Sequence, residues 1–451
     1  MFNYLLSFTI FVNAFFFVIF YSVVDNNEML PLYVYSFFQF ITVSFYYLKR
    51  FRDNENTFNS ANLKLEVGII SLIFISFNNY ISYKLTNNFF VFSQVDAKFY
   101  EYVALNINKS SDSFIETFDR MGLEWISFED YGQIILVSIV YKIWSSNLML
   151  NIYYLVLAIF GSYYLFLLCK KFMSDKFAYF AALTFYTSSF MFFFNSSGLK
   201  ESQMLFLIIL VFYNFYNYIF QKKVVYIFKC LILLFLLAFF RPAVSFLLLL
   251  SMITGYLVYI KTNKFLLILL TLTFFVLFLN NSIVQKQQER FLMEDFNELV
   301  ESRESENMIF GSFQFTYFVN SISTFFGHFP TINLTKTPPV KNLCASGLMI
   351  KVMFNIFFLF GIYFIFRKKL WILLPFVLFI LSENISLISI FEALELRKSL
   401  PHYPFIYLII FWFMYKLESN KNSLYYSKFR YVYLNVFLVF NLIIITYWNL
   451  R

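Results

Sequence analysis

The chain has 451 residues, of which 60% are hydrophobic, 24% are aromatic and only 14% are charged. A soluble domain typically carries about 25% charged residues, so this composition excludes an ordinary soluble protein, and the aromatic content excludes a disordered one. The net charge of +9 does not indicate nucleic-acid binding, because the basic residues concentrate in loops that we assign to the cytoplasmic side of a membrane.

A membrane span takes roughly 17–25 apolar residues. Twelve apolar runs reach that length, and a thirteenth, at 405–417, is shorter and could be extended by residues 400–403. We therefore predict an all-α polytopic membrane protein in which residues 1–451 form a single transmembrane domain. The predicted spans are 2–24, 29–48, 65–86, 148–168, 177–195, 202–220, 224–240, 243–260, 265–281, 348–366, 370–389, 405–417 and 431–449.

Orientation follows from the distribution of Lys and Arg, which favour cytoplasmic loops. With the N-terminus inside, more than half of the 35 basic residues fall in segments on the inner side, such as Lys170-Lys171, Lys222-Lys223 and Arg367-Lys368-Lys369. This bias predicts a multi-pass protein of the cytoplasmic (inner) membrane whose active face is turned outward, to the periplasmic side.

Two large hydrophilic segments are predicted to lie outside, at 87–147 and 282–347. Residues 133–147 within the first are apolar, but a crossing there would place every later basic loop outside. We therefore predict that they form a juxtamembrane helix lying on the outer surface.

Two acidic positions at the outer ends of spans are candidates for chemistry, since ionisable side chains near hydrocarbon are costly. Asp96 could accept a proton from an attacking hydroxyl or hold a divalent cation; the alternative is that it caps the helix that starts at Ala97. Glu201 could face an active cavity while Lys200 meets an anionic group, or the two could be an interfacial turn pair.

Basic residues at outer boundaries run against the overall charge bias. Arg241 lies in a short outer hairpin, and its guanidinium suits a phosphate group, although it could also be an interfacial anchor. Arg397, Lys398 and His402 crowd another outer loop, where a salt-bridged loop is the alternative. Cations beside carboxylates fit a reaction in which a phosphate leaves and a hydroxyl attacks.

The block Asp96-Ala97-Lys98-Phe99-Tyr100 resembles the GT-C superfamily of membrane glycosyltransferases, which includes the protein mannosyltransferases and the aminoarabinose transferase of lipid A. The resemblance covers residues 90–260 and 390–415. Three further segments are similar to the family's pattern: Asp130-Tyr131-Gly132 before the surface helix, Glu201 as a second outer acid, and Arg397 through Pro404 before a late span.

The resemblance implies Asp96 and Glu201 as catalytic carboxylates and Tyr100, Asp130 and Tyr131 as substrate-binding residues. The leading hypothesis is therefore a glycosyltransferase that moves a sugar from a polyprenyl-phosphate donor to a glycan or glycolipid acceptor at the outer face, in cell-surface polysaccharide or glycolipid assembly. A divalent cation is the one candidate cofactor, and the lipid bilayer is the implied environment.

Other functions stay open. A Wzy-type O-antigen or capsule repeat-unit polymerase would use an outward Arg in the segment 282–347, where Arg290 and Arg303 are candidates. A transporter or flippase would use ionisable residues inside spans, for which we identify Lys229 and Glu383. An assembly or scaffold role is a further alternative.

Overall fold

A computed structural model describes residues 57–87, 95–110, 128–261, 327–330, 340–389, 396–419 and 436–450, together with positions 116 and 432 and isolated positions between 7 and 48. Apart from those isolated positions, the predicted spans 2–24, 29–48 and 265–281 and most of the predicted outer segment 282–347 lie outside the described residues.

Every regular element in these described ranges is helical, which confirms the predicted all-α class. The helices are α1 Ser60–Thr86, α2 Val95–Ser110, α3 Tyr131–Ile143, α4 Asn147–Cys169, α5 Asp175–Tyr186, α6 Ser189–Ser196, α7 Glu201–Gln221, α8 Val225–Ala238, α9 Pro242–Tyr259, α10 Val340–Arg367, α11 Leu374–Ser389, α12 Leu396–Ser399, α13 Tyr403–Ser419 and α14 Leu438–Leu450. Short 3-10 turns cover Phe128–Asp130, Trp371–Leu373 and Leu400–His402.

Within the described residues, five helices are long and apolar enough to cross a membrane, or six if the bent pair α5–α6 counts as one span. This finding makes the chain a multi-pass membrane protein by helix composition. The count of thirteen spans stays a prediction.

The bend in α5–α6 has a local cause. The two helices meet at 55°, and the break falls at Thr187 and Ser188. The Thr187 hydroxyl donates to the carbonyl of Leu183 at 2.8 Å, and the Ser188 hydroxyl donates to that of Phe185 at 2.7 Å. Both carbonyls also accept main-chain amides, from Thr187 and Ser188, so the hydroxyls add second bonds to them, and such back-bonding by Ser and Thr bends helices.

Helix α8 shows that the surface needs an apolar environment. Phe228, Leu231, Ile232 and Phe235 follow the i, i+3, i+4, i+7 spacing of one helix face, and each side chain is about half exposed or more. A helix that exposes a stripe of apolar side chains on the protein surface is suited to contact with lipid rather than with water.

The chain divides into two compact units. The first comprises Met1–Ser245, Phe329–Gly361 and Ile406–Arg451, and in it α4 packs against α1 and α7, α7 against α8, and α2 against α3. The second comprises Phe246–His328 and Ile362–Phe405, and in it the rings of Phe376 and Phe405 stack at 5.3 Å.

Candidate functional site

An ion pair lies at the centre of the candidate site in the first unit. Lys200, which precedes α7, donates from Nζ to Oδ1 of Asp130 at 2.7 Å and to the carbonyl of Glu129 at 3.0 Å. The hydroxyl of Tyr100 on α2 donates to the same Oδ1 at 2.7 Å. Three segments that are distant in sequence therefore meet at one carboxylate.

Two further acids surround the Tyr100 hydroxyl. Asp96 lies one turn earlier on α2, and residues four apart share a helix face. Glu201, the first residue of α7, is only 3% exposed. Burial raises the pKa of Tyr100, and the carboxylates of Asp130, Glu201 and Asp96 raise it further. The phenol therefore keeps its proton and acts as a hydrogen-bond donor at neutral pH.

The turn before α7 is fixed by α3 and α4. Gly198 has a positive φ of 73°, which glycine adopts without strain. The Gln133 side chain donates from Nε2 to the carbonyl of Gly198 at 3.0 Å and to the Tyr154 hydroxyl at 2.7 Å, and that hydroxyl donates to the carbonyl of Leu199 at 3.2 Å. This chain of bonds sets the positions of Lys200 and Glu201.

The turn that carries Arg241 packs against the start of α3. The Gly132 amide donates to the carbonyl of Phe239 at 3.0 Å. A Cβ at Gly132 would lie 2.8 Å from the Phe240 ring and 3.0 Å from that carbonyl, so the approach needs glycine. Arg241 is 9% exposed. The predicted phosphate-binding residue is thus held next to the segment that supplies Asp130.

Among the described residues, this cluster brings together more acids than bases. Asp96, Asp130 and Glu201 are three acids, and Lys200 is already paired with Asp130. An incoming phosphate would have to compete with that carboxylate for Lys200, which leaves Arg241 as the better anion-binding candidate. Among the described residues, no three His, Cys, Asp or Glu side chains converge in a way that would hold a metal ion.

Tyr131 has a packing role. It is half-buried against an apolar cluster of Tyr100, Val103, Ile107 and Ile134, which joins α2 to α3, and its ring contacts that of Phe128. Burial raises its pKa. The structure therefore places Tyr131 next to Tyr100, where its ring helps to pack α2 against α3.

The remaining predicted residues belong to the second unit. Arg397 and Lys398 are half-buried in α12. His402 is fully buried, and its Nδ1 lies 3.0 Å from a carboxylate oxygen of Glu383. The next residue, Tyr403, bonds through its hydroxyl to Nδ1 of His328 at 2.7 Å. Both histidines of the chain therefore lie in this buried polar cluster. The polymerase candidates Arg290 and Arg303 lie outside the described residues.

The sequence analysis did not identify several buried polar residues. No sequence pattern points to Gln133 or Tyr154, because the carbonyls that they bond to, those of Gly198 and Leu199, are 65 and 45 residues away in the chain. Glu66 and Lys351 lie inside predicted spans and are 3% and 0% exposed. An ionisable residue inside an apolar run was a signal that could have identified both.

No family model, no curated protein and no solved structure matches this chain.

Proposed function

We propose that the chain is a membrane glycosyltransferase that takes a sugar from a polyprenyl-phosphate donor at the outer face of the membrane. The observation that carries this proposal is the convergence around the Tyr100 hydroxyl of four charged residues, Asp96, Asp130, Lys200 and Glu201. Tyr100 and these four residues come from segments that the charge bias assigns to the outside.

Contacts within the first unit support placing two turns on the same side of the membrane. The turns at 198–201 and 239–241, which we assign to the outer side, both bond to residues 132–133 at the start of α3. A juxtamembrane helix is expected to contact the turns that connect spans on one side of the membrane, and the start of α3 contacts two such turns. This arrangement supports α3 as the surface helix at the outer end of the spans.

The reaction assigned to these groups moves one glycosyl unit. The acceptor hydroxyl attacks the anomeric carbon, the bond from that carbon to the phosphate oxygen breaks, and the hydroxyl proton passes to a carboxylate, Asp96 or Glu201. The polyprenyl phosphate leaves with the negative charge that Arg241 stabilises. Lys200 and Asp130 hold Tyr100 in place beside the two carboxylates.

The test is transfer from a polyprenyl-phosphate sugar by protein reconstituted in vesicles. Asp96→Asn removes the proton acceptor and keeps the side-chain volume, so we expect transfer to fall roughly 10²–10⁴-fold. Asp175→Asn is the matched control, because Asp175 is exposed and pairs with Lys170 in a segment assigned to the inner side. A loss under about tenfold in folded Asp96→Asn protein would remove Asp96 from the mechanism.

Transport is a second candidate function, favoured by one observation. Glu66 and Lys351 are buried within candidate spans, where ionisable residues mark transport or proton pathways. Translocation of a fluorescent polyprenyl-phosphate glycan across vesicles by wild-type protein, lost in Lys351→Met but kept in Asp96→Asn, would favour transport. Transfer without translocation would favour the enzyme.

A further inference from the structure

Lysines are concentrated at the C-terminal ends of α4 and α7 and at the start of α8, which we predict to lie on the inner side. Residues 170–176 and 222–229 contain six Lys and one Asp, and that Asp is already paired with Lys170 at 2.8 Å. Because α4 packs against α7 and α7 against α8, a net positive charge lies at one end of these helices. We call these lysines the basic face: Lys170, Lys171, Lys176, Lys222, Lys223 and Lys229.

Lys171 is half-buried where α4 ends against α7. Its Nζ donates to Oδ1 of Asn217 at 2.7 Å and lies 5.5 Å and 5.4 Å from the ring centroids of Tyr213 and Phe220. Burial lowers the pKa of Lys171. In the part of the chain that the structure describes, the partners of this partly dehydrated cation are all neutral. A nearby anion would supply a counter-charge and favour the charged form.

The ring of Phe220 connects Lys171 to the turn between α7 and α8. Lys222 follows that ring by two residues and ends α7, with a positive φ of 57° and its amide bonded to the carbonyl of Tyr218 at 2.8 Å. Lys222 and Lys223 are both exposed. Two accessible ammonium groups therefore follow directly on the ring that Lys171 contacts.

An exposed apolar surface begins at the same turn. Val224 and Val225 are more than half exposed, and the apolar stripe of α8 continues from them. From Phe228 to Phe235 the stripe extends over seven residues, or roughly 10 Å along the helix axis. Lys229 is exposed on the same helix. Positive charge at one end of an apolar surface complements an anionic phospholipid, which has a charged phosphate and apolar acyl chains.

A second copy of this chain fits the surface less well. In a symmetric dimer the same patch faces itself, so the lysines of one protomer would lie opposite those of its partner, and like charges across an interface repel. A zwitterionic lipid would cover the stripe but bring no net negative charge to the basic face. An anionic phospholipid matches both the charge and the apolar stripe.

We propose that the basic face and the apolar stripe of α8 together form a binding site for an anionic phospholipid. The phosphate lies at Lys222 and Lys223, near Lys171, and the acyl chains lie along the stripe. The charge bias predicts the inner leaflet for this lipid. The site is independent of the proposed reaction, whose residues are assigned to the outer side.

The experiment is native mass spectrometry of the purified protein, titrated with phosphatidylglycerol or phosphatidylcholine of identical acyl chains, and it measures the affinity of the first lipid bound. Each Lys near an anionic headgroup contributes roughly fivefold to binding. Wild-type protein should therefore bind phosphatidylglycerol roughly tenfold or more tightly than phosphatidylcholine. Lys222→Gln with Lys223→Gln should weaken phosphatidylglycerol binding roughly ten- to thirtyfold, and Lys171→Gln roughly fivefold.

Lys368→Gln with Lys369→Gln is the matched control. These two adjacent lysines are also exposed and predicted to lie inside, but they belong to the second unit. The control removes the same charge at a different place and should leave the affinity for phosphatidylglycerol unchanged. Equal losses in the two double variants would attribute binding to the overall charge and overturn the proposal, and so would equal affinity of wild type for the two lipids.

Two further measurements separate the phospholipid from other occupants. Glycerol phosphate carries an anionic group without acyl chains and should not displace phosphatidylglycerol at equal concentration, and displacement would make the face a site for free anions. A lipid-free dimer that Phe228→Ser dissociates would make a second copy the occupant. Either result would overturn the proposal. If the double variant at 222 and 223 does not fold, Lys223→Gln alone should still weaken phosphatidylglycerol binding roughly fivefold.

Discussion

At the scale of single residues, one carboxylate oxygen accepts from both Lys200 and Tyr100. The Lys200 and Asp130 side chains are 8% and 21% exposed, so neither charge is fully hydrated. Removing one partner of a buried pair leaves the other charge uncompensated, which costs more than the pair itself contributes. The Lys200–Asp130 pair is therefore a sensitive point of the first unit.

We expect Asp130→Asn to lower the free energy of unfolding by about 3 kcal/mol, because Lys200 loses its counter-charge. The double variant Asp130→Leu with Lys200→Met should recover much of that loss, since neither member of the pair is then left without its counter-charge. Thermal unfolding in detergent measures both. Asp175→Asn breaks the exposed pair with Lys170 and should cost less than about 1 kcal/mol. Equal effects at the two pairs would contradict the interpretation.

Arg241 carries the prediction for the lipid phosphate. Its guanidinium can contact two phosphate oxygens, a geometry that Lys cannot reproduce. Arg241→Ala should therefore weaken use of the donor roughly ten- to a hundredfold, and Arg241→Lys should weaken it less. Transfer measured against donor concentration is the readout, with exposed Arg367→Ala as control. Unchanged donor dependence in folded Arg241→Ala protein would make Arg241 an interfacial anchor.

At the scale of elements, α2 and α3 form a pair joined by polar bonds as well as apolar packing. The amide of Asn108 donates to the carbonyl of Ser138 at 3.0 Å, and the Tyr141 hydroxyl donates to Glu101 at 2.7 Å. Gln133 on α3 also donates to the carbonyl of Gly198, so the position of the α2–α3 pair fixes the turn that carries Lys200. The stability of this pair therefore decides the geometry of the site.

Glu101 makes that stability depend on pH. Burial raises its pKa, an effect that the hydrogen bond from Tyr141 partly offsets. A carboxyl whose pKa is raised on folding stabilises the folded state below its unfolded pKa, and this contribution is lost as the pH rises through the folded value. Wild-type protein should therefore lose stability as the pH rises, and the Glu101→Gln variant should lose less. At neutral pH we expect the variant to be more stable than wild type by on the order of 1 kcal/mol.

Unfolding midpoints from acidic to neutral pH, compared between wild type and Glu101→Gln, measure this effect. The amide that replaces the carboxyl still offers an oxygen to Tyr141, so the hydrogen bond is kept. Glu129→Gln is a control on the neighbouring 3-10 turn, where the bond to Lys200 comes from the main chain. Parallel pH curves for wild type and Glu101→Gln would show that Glu101 does not set the dependence.

At the scale of the whole molecule, the chain is a multi-pass helical protein, and its orientation is a prediction from charge. Cysteine labelling in intact cells tests it. Ser110→Cys should react with an impermeant reagent from outside, and Lys222→Cys only after the membrane is opened. The native Cys169, Cys230 and Cys344 are buried, so background labelling should be low. Labelling of position 110 only from the cytoplasmic side would remove the basis for the proposed site.

Local patterns made part of the site predictable. Asp96, Lys200 and Glu201 could be identified as ionisable residues at the outer ends of predicted spans, and Tyr100 through the family resemblance. The bond between Lys200 and Asp130 spans 70 residues, and periodicity carries no information about such distances. The same limit explains why the contact of Gln133 with Gly198 and the pairing of Glu383 with His402 were not predicted. The broken span α5–α6 was missed because hydropathy does not register a kink.

Helix α8 has 14 residues, which at 1.5 Å per residue is roughly 21 Å of helix. The hydrocarbon core of a typical bilayer is about 30 Å thick, so α8, which belongs to the predicted span 224–240, is too short to cross it without a mismatch. A short apolar span thins the bilayer around it. Because α8 ends at the turn that holds Arg241, which we predict to lie on the outer side, the headgroups next to that turn should be drawn inward. A lipid phosphate would then come closer to the guanidinium of Arg241, so we expect activity to be higher in vesicles of short-chain lipids than in vesicles of long-chain lipids.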